Sequence, residues 1–171
     1  QHGRLTGGFY VHRDPAIVAT DNGWLAAFSA NYDGNLEVYT RTYDSNGQPV
    51  SQLNRISTDA PQALFADQSV SLSRSADGTL ISWVRVGTQS RTGLVGRLSA
   101  DGSLAGAAQE IEAGQTPMTI PRAAARNGGF IVGWANSYSP NLRAAMAMPI
   151  TASGELGTID AISQTGSTLL S

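Results

Sequence analysis

Gly78-Thr79-Leu80-Ile81-Ser82-Trp83, entered through Asp77, has two near copies elsewhere in the chain: Gly23-Trp24-Leu25-Ala26-Ala27-Phe28 and Gly129-Phe130-Ile131-Val132-Gly133-Trp134. A short apolar stretch leads into each, at Ala16 to Ala19, Val70 to Leu72 and Ala123 to Ala125. A second glycine turn follows about 20 residues later, at Asn46-Gly47, Asp101-Gly102 and Ser153-Gly154. The first landmark advances by 55 and 51 residues (23, 78, 129), the second by 55 and 52 (47, 102, 154). Two landmarks keeping step define an internal repeat of about 52 residues, and a repeat of that length decides architecture before any local reading.

Within each copy the apolar residues alternate. Trp24, Ala26 and Phe28 share one face at a period of two, as do Ile81 with Trp83, and Phe130 with Val132 and Trp134. The pairs Asn22-Gly23, Asp77-Gly78 and Gly128-Gly129 stand between apolar runs, where a tight hairpin needs residues that tolerate positive φ. Each unit therefore reads as four short antiparallel strands; in the first they fall near 15–20, 24–30, 36–43 and 50–57. Helical spacing is nowhere sustained for ten residues, the nearest approach being Leu142 to Met148. The expected fold is all-β in one domain, 1–171, with units at about 13–66, 67–119 and 120–164. Leu5 to Val11 resembles the fourth strand of a unit, so a surplus N-terminal strand is expected at 4–12. It could close a ring, cover an edge or add to a neighbouring molecule.

Composition narrows the chemistry. The chain of 171 residues is 14% charged with a net charge of −2, no footprint for nucleic acid or an anionic membrane. All 11 basic residues are Arg, which excludes lysine Schiff bases, and the absence of Cys excludes thiol nucleophiles, zinc thiolates and disulfides. No apolar run approaches a membrane span. A chain opening at Gln1 is expected to be processed or cut from something longer.

The repeats also resemble a family. Leu72-Ser73-Arg74-Ser75-Ala76-Asp77-Gly78 leading to Trp83, then Val95-Gly96-Arg97-Leu98-Ser99-Ala100-Asp101-Gly102, is similar to repeats of large bacterial secreted and surface proteins of the RTX-type adhesins. Val38 to Val50 follows the same pattern. The resemblance implies propeller-like blades and an extracellular or cell-surface, non-catalytic module, and carries over no catalytic residue. Three units are fewer than the 4 to 8 blades of the usual propeller. A dimer of six blades would resolve this, and a β-trefoil or β-prism remains the alternative.

Catalytic machinery is sparse in the sequence. His2 and His12 sit near one end, expected to be solvated. There is no Gly-x-Ser-x-Gly elbow, and Asp44, Asp77 and Asp101 occupy turns where Asp is favoured for local hydrogen bonding. Glu110 and Glu112 are expected on one strand face. Asp44-Ser45-Asn46-Gly47 begins like a calcium loop but lacks its later acidic ligands and reads as a hairpin turn. No metal or cofactor is expected. Phe28, Trp83 and Trp134 are expected to form a repeated packing wedge, with Met146 and Met148 as core filler.

The loops after the wedge differ among units. They carry Asn31, Tyr32, Asp33, Asn35 and Tyr39 in the first, Gln89 and Arg91 in the second, and Tyr138, Asn141 and Arg143 in the third. Aromatic faces beside amides, carboxylates and guanidinium groups are the mixture that holds a sugar ring. Asp33, Asn35 and Tyr39 also resemble part of the monocot mannose-binding lectin motif, with Asn31 and Glu37 replacing its glutamine and valine. These ten residues are the expected ligand-binding set. The expected function is a non-catalytic extracellular module for adhesion or glycan binding, its partner a glycan or surface polysaccharide, in a homo-oligomer. A structural subunit that self-assembles through its N-terminal strand is the alternative, and a polysaccharide-active enzyme the minor reading.

Overall fold

The computed structural model describes residues 11–32, 34–57, 65–114, 119–139 and 142–165. Twelve strands form three four-stranded antiparallel sheets. The first holds β1 (His12–Thr20), β2 (Gly23–Ala30), β3 (Glu37–Asp44) and β4 (Asn54–Arg55). The second holds β5 (Ala66–Ser75), β6 (Gly78–Val86), β7 (Arg91–Leu98) and β8 (Gln109–Gly114). The third holds β9 (Arg122–Arg126), β10 (Gly129–Ser139), β11 (Leu142–Thr151) and β12 (Asp160–Thr165). Strands follow one another in order within each sheet, the meander of a propeller blade rather than the arrangement of a trefoil or prism. β1, β5 and β9 are the innermost strands, β1 packing on β5 and β5 on β9.

The hairpins obey the glycine pattern for a steric reason. At Gly23 (φ +150°) and Gly129 (φ +143°) any Cβ would sit 2.1 Å from the Tyr43 carbonyl oxygen and 2.2 Å from that of Ile150. Only glycine lets the third strand run so close behind the turn. The calcium-like stretch is indeed a turn: the Asp44 carboxylate accepts from the Asn46 and Gln48 amides at 2.9 and 2.8 Å. Leu142 to Met148, the nearest approach to helical spacing, lies within β11.

Two cores hold the blades together. Leu25, Ala27 and Val38 of blade 1 meet Val70, Ile81, Trp83, Leu94 and Leu98 of blade 2. Leu80, Val95 and Ile111 of blade 2 meet Phe130, Val132, Trp134, Met148 and Ile150 of blade 3, with Met146 packed beside them. Trp83 (0% exposed) and Trp134 (5%) are the buried wedges expected from the repeat. Phe28, in the same register, is half-buried. Each wedge points toward the preceding blade, so that of blade 1 faces outward from the arc.

Polar contacts repeat at the seams. The Asn54 side-chain amide donates to the Asp101 carbonyl at 2.9 Å, and 55 residues on the Gln109 amide donates to the Gly154 carbonyl at 2.8 Å. Each blade thus grips the second glycine turn of the next. Arg97 secures the seam between blades 2 and 3, donating to the carbonyls of Ala152 and Asp77 while its guanidinium lies 5.7 Å over the Phe130 ring.

Candidate functional site

In a meander of this kind the β2–β3, β6–β7 and β10–β11 turns emerge at the end where each innermost strand begins. The eight ligand-binding candidates among the described residues fall at that end of the chain trace. Asp33 and Asn141 lie outside the described residues. Tyr138 and Arg143 lie on β10 and β11 beside the turn. Gln89 and Arg91 are exposed at the β6–β7 turn, and Asn35 is partly exposed in the β2–β3 turn.

Three candidates turn inward. The Asn31 side-chain oxygen accepts from the Val11 backbone amide at 2.6 Å while the Asn31 backbone amide donates to the Val11 carbonyl at 3.3 Å, fastening Val11 just ahead of β1. Tyr39 is buried, and its hydroxyl donates to Glu37 Oε2 at 2.9 Å. Tyr32 meets Tyr39 edge-on at 5.0 Å between ring centroids. His12 is exposed, but its ring lies 5.3 Å from that of Tyr32 and 5.8 Å from that of Phe28.

The sequence reading missed the carboxylates gathered here. The buried Glu37 pairs with Arg55. The buried Asp67 is held by both arms of the Arg85 fork, at 3.0 and 3.1 Å, and its backbone amide donates to the Leu36 carbonyl at 2.8 Å. Two residues along β5, the Ser69 amide donates to Asp14 Oδ2 at 2.8 Å, and Arg13 donates to the Gln68 side chain. Asp14 is partly exposed, with Arg13 Nε 3.8 Å from its carboxylate.

Asp14 (φ 55°) and Ser69 (φ 62°) are the two non-glycine residues with positive φ among those described. They stand one repeat apart, 55 residues, and each lies where the ladder to the next strand slips, between Arg13 and Ala16 in β1 and between Gln68 and Ser71 in β5. Such backbone conformations cost roughly 1–3 kcal/mol each and persist where surrounding contacts enforce them, often at functional sites. The bulges turn the starts of both inner strands so that a carboxylate of one blade reaches the backbone of the next. Glu110 and Glu112, expected on one face, are separated by a similar slip against Gly93 and Leu94.

The class defined by these features is an all-β protein of propeller-like blades with a polar face at the strand-start end. No family model matches the chain and no curated protein matches it. Among solved structures it is similar to an α-L-arabinofuranosidase from Lactobacillus brevis, at 12% identity and a TM-score of 0.54, covering 91% of this chain and 54% of that one. An exo-1,5-α-L-arabinanase from a bovine ruminal metagenomic library matches at 13% identity and a TM-score of 0.49, covering 86% of this chain and 56% of that one. The chain thus spans about half the length of these proteins, and at such identities the likeness is one of fold. Neither match bears on the resemblance to RTX-type adhesin repeats. The first match corrects the expected function: the blades are similar in fold to a protein described as an α-L-arabinofuranosidase, and neither the non-catalytic adhesion module nor the self-assembling structural subunit is retained.

Proposed function

We propose that the chain forms three blades of a carbohydrate-active, glycoside-hydrolase-like propeller that meets its glycan at the strand-start end, outside the cell. One observation carries the reading: on a fold like that of an arabinofuranosidase, Asp14, Glu37 and Asp67 collect at the end where the variable turns emerge. Glu37 and Asp67 are engaged by Arg55 and Arg85 and set the frame. Asp14 is the partly exposed carboxylate of the three. Glycoside hydrolysis uses two carboxyl groups, one protonating the departing oxygen and one activating water or attacking the anomeric carbon. Asp14 is assigned as one of this pair, with its backbone fixed by the bulge and one oxygen oriented by the Ser69 amide. Asn35, Gln89 and Arg91 supply amide and guanidinium groups for sugar hydroxyl pairs.

The first substrates to try are aryl α-L-arabinofuranosides and arabino-oligosaccharides, compared between the native chain and Asp14→Asn. Asn still accepts from the Ser69 amide, so the fold should persist while release of the aglycone falls at least about 100-fold, the scale expected on losing an acid or base group. Turnover unchanged by Asp14→Asn, or neither turnover nor binding of any of these sugars, would reject the proposal.

A further inference from the structure

The seam between blades 1 and 2 holds a cavity of about 300 Å³, distinct from the face that bears Asp14. Its deep wall is apolar, formed by Ile56, the fully buried Trp83 and Leu94. Ser57 and Arg85 line its sides, and the exposed Gly106 and Glu110 stand at its mouth. The lining is not a feature of the repeat, because blade 3 has Asn136 and Met146 where blade 2 has Arg85 and Leu94.

Four polar groups set what this cavity can hold. The buried Trp83 indole N–H has no acceptor among the described residues. Cζ3 of the same ring lies 3.9 Å from where a Cβ on Gly96 would stand, so the opposite edge, which carries the N–H, is turned away from Gly96. The Ser57 hydroxyl oxygen accepts from the Val38 amide at 2.8 Å, which leaves its proton to donate elsewhere. Arg85 commits its fork to Asp67 at 3.0 and 3.1 Å, so its charge is already balanced and Glu110 carries the remaining charge of the lining. An anion would be repelled by the Glu110 carboxylate, and a simple cation offers the indole N–H no acceptor. A neutral hydroxylated molecule satisfies both ends, accepting from Trp83 and Ser57 and donating to Glu110. The volume lies at the small end of the roughly 300–1,000 Å³ of ligand sites, which suits one sugar ring and excludes a chain of them.

We propose that this cavity binds one neutral monosaccharide, its C–H face against Ile56 and Leu94 and its hydroxyls on Ser57, Trp83 and Glu110. The site is separate from the face bearing Asp14 but mechanically joined to it: Arg85 holds Asp67, and two residues along β5 the Ser69 amide orients Asp14. A sugar seated against Arg85 therefore acts as an effector of the strand-start end. That effector role rests on the carbohydrate-active function proposed above, whereas the binding rests on the cavity and its unpaired indole.

The test follows the indole N–H resonances by NMR while L-arabinose, D-xylose and D-glucose are titrated separately into the full chain, with glycerol as the control polyol. Trp83→Phe assigns the Trp83 signal among the three tryptophans. At least one monosaccharide should move that signal downfield with half-saturation at about 1 mM, the scale open to a ligand of about ten non-hydrogen atoms, and glycerol at the same concentrations should not. Gly106→Leu fills the mouth from a position where a Cβ meets no atom within 4 Å. It should keep the native circular dichroism spectrum and raise the half-saturating concentration at least about tenfold. Glu110→Ala, at an exposed position, should weaken binding as well. Asp14→Asn should leave the shift intact whatever it does to turnover, so failure of the catalytic assignment and failure of this site are told apart. A Trp83 signal indifferent to all three sugars, moved equally by glycerol, unaltered in its titration by both mouth variants, or lost in Asp14→Asn would overturn the proposal.

Discussion

Trp83→Ala tests how the blades are joined. The indole is fully buried in the seam between blades 1 and 2, against Leu25, Ala27 and Val38 on one side and Ile81, Leu94 and Leu98 on the other. A large aromatic buries roughly 150–250 Å², which at about 25 cal/mol per Å² is about 4–6 kcal/mol. One feature acts in the other direction: the indole N–H has no hydrogen-bond acceptor among the described residues, and a buried unsatisfied donor costs about 1–3 kcal/mol. Alanine removes that cost together with the ring, so the expected loss is about 3 kcal/mol, the low end of measured Trp→Ala truncations. Trp83→Phe keeps most of the ring and removes the orphan donor, so it should cost less than about 1.5 kcal/mol, as size-preserving apolar exchanges do. Urea unfolding followed by circular dichroism reads both values. Phe costing as much as Ala, or Ala costing under about 1 kcal/mol, would refute the assignment of Trp83 as the wedge.

Other outcomes follow from particular contacts. Asp67→Ala strands the Arg85 guanidinium in a buried seam and should destabilise by about 3–5 kcal/mol, read as a drop in the urea midpoint. Gly129→Ala forces a Cβ onto the Ile150 carbonyl and should lower the melting temperature by several degrees, more than the roughly 1 kcal/mol of a compatible glycine exchange; an unchanged melting curve would contradict the close approach at that turn. The Ser103 backbone amide and then its hydroxyl, both bonded to Asp101, hold that carboxyl below its ordinary pKa. Because the folded value is depressed, this contribution is present above the ordinary carboxylate range and is lost as pH falls through the folded value. Ser103→Ala should shift the Asp101 titration, followed by NMR, upward toward the ordinary value.

The blades were legible because glycine and aromatic residues mark them at fixed spacing. Gly23, Gly78 and Gly129 set the hairpins, and alternation set the strands, so the three sheets and the buried Trp83 and Trp134 could be read directly. The carboxylates were not legible because they depend on bulges. Extending the ladder from the Asp77-Gly78 turn pairs Asp67 with Val86; the slip between Gln68 and Ser71 pairs it with Arg85 instead. The same slip in β1 brings Asp14 to the Ser69 amide. Pro15, a residue that strand interiors confine to edges and bulges, was the available signal. The burial of Tyr39 was not legible either: it stands opposite Phe28 in the ladder, on the same face, where it packs and bonds to Glu37.

The central claim is that the strand-start end of the blades meets a glycan. Backbone NMR of the chain titrated with an arabino-oligosaccharide tests it directly. The account predicts shifts concentrated at Arg13, Asp14, Asn35, Ser69, Gln89 and Arg91, with the hairpins at Asn22-Gly23, Asp77-Gly78 and Gly128-Gly129 unaffected. Shifts centred on those hairpins at the opposite end, or none at saturating sugar, would contradict it.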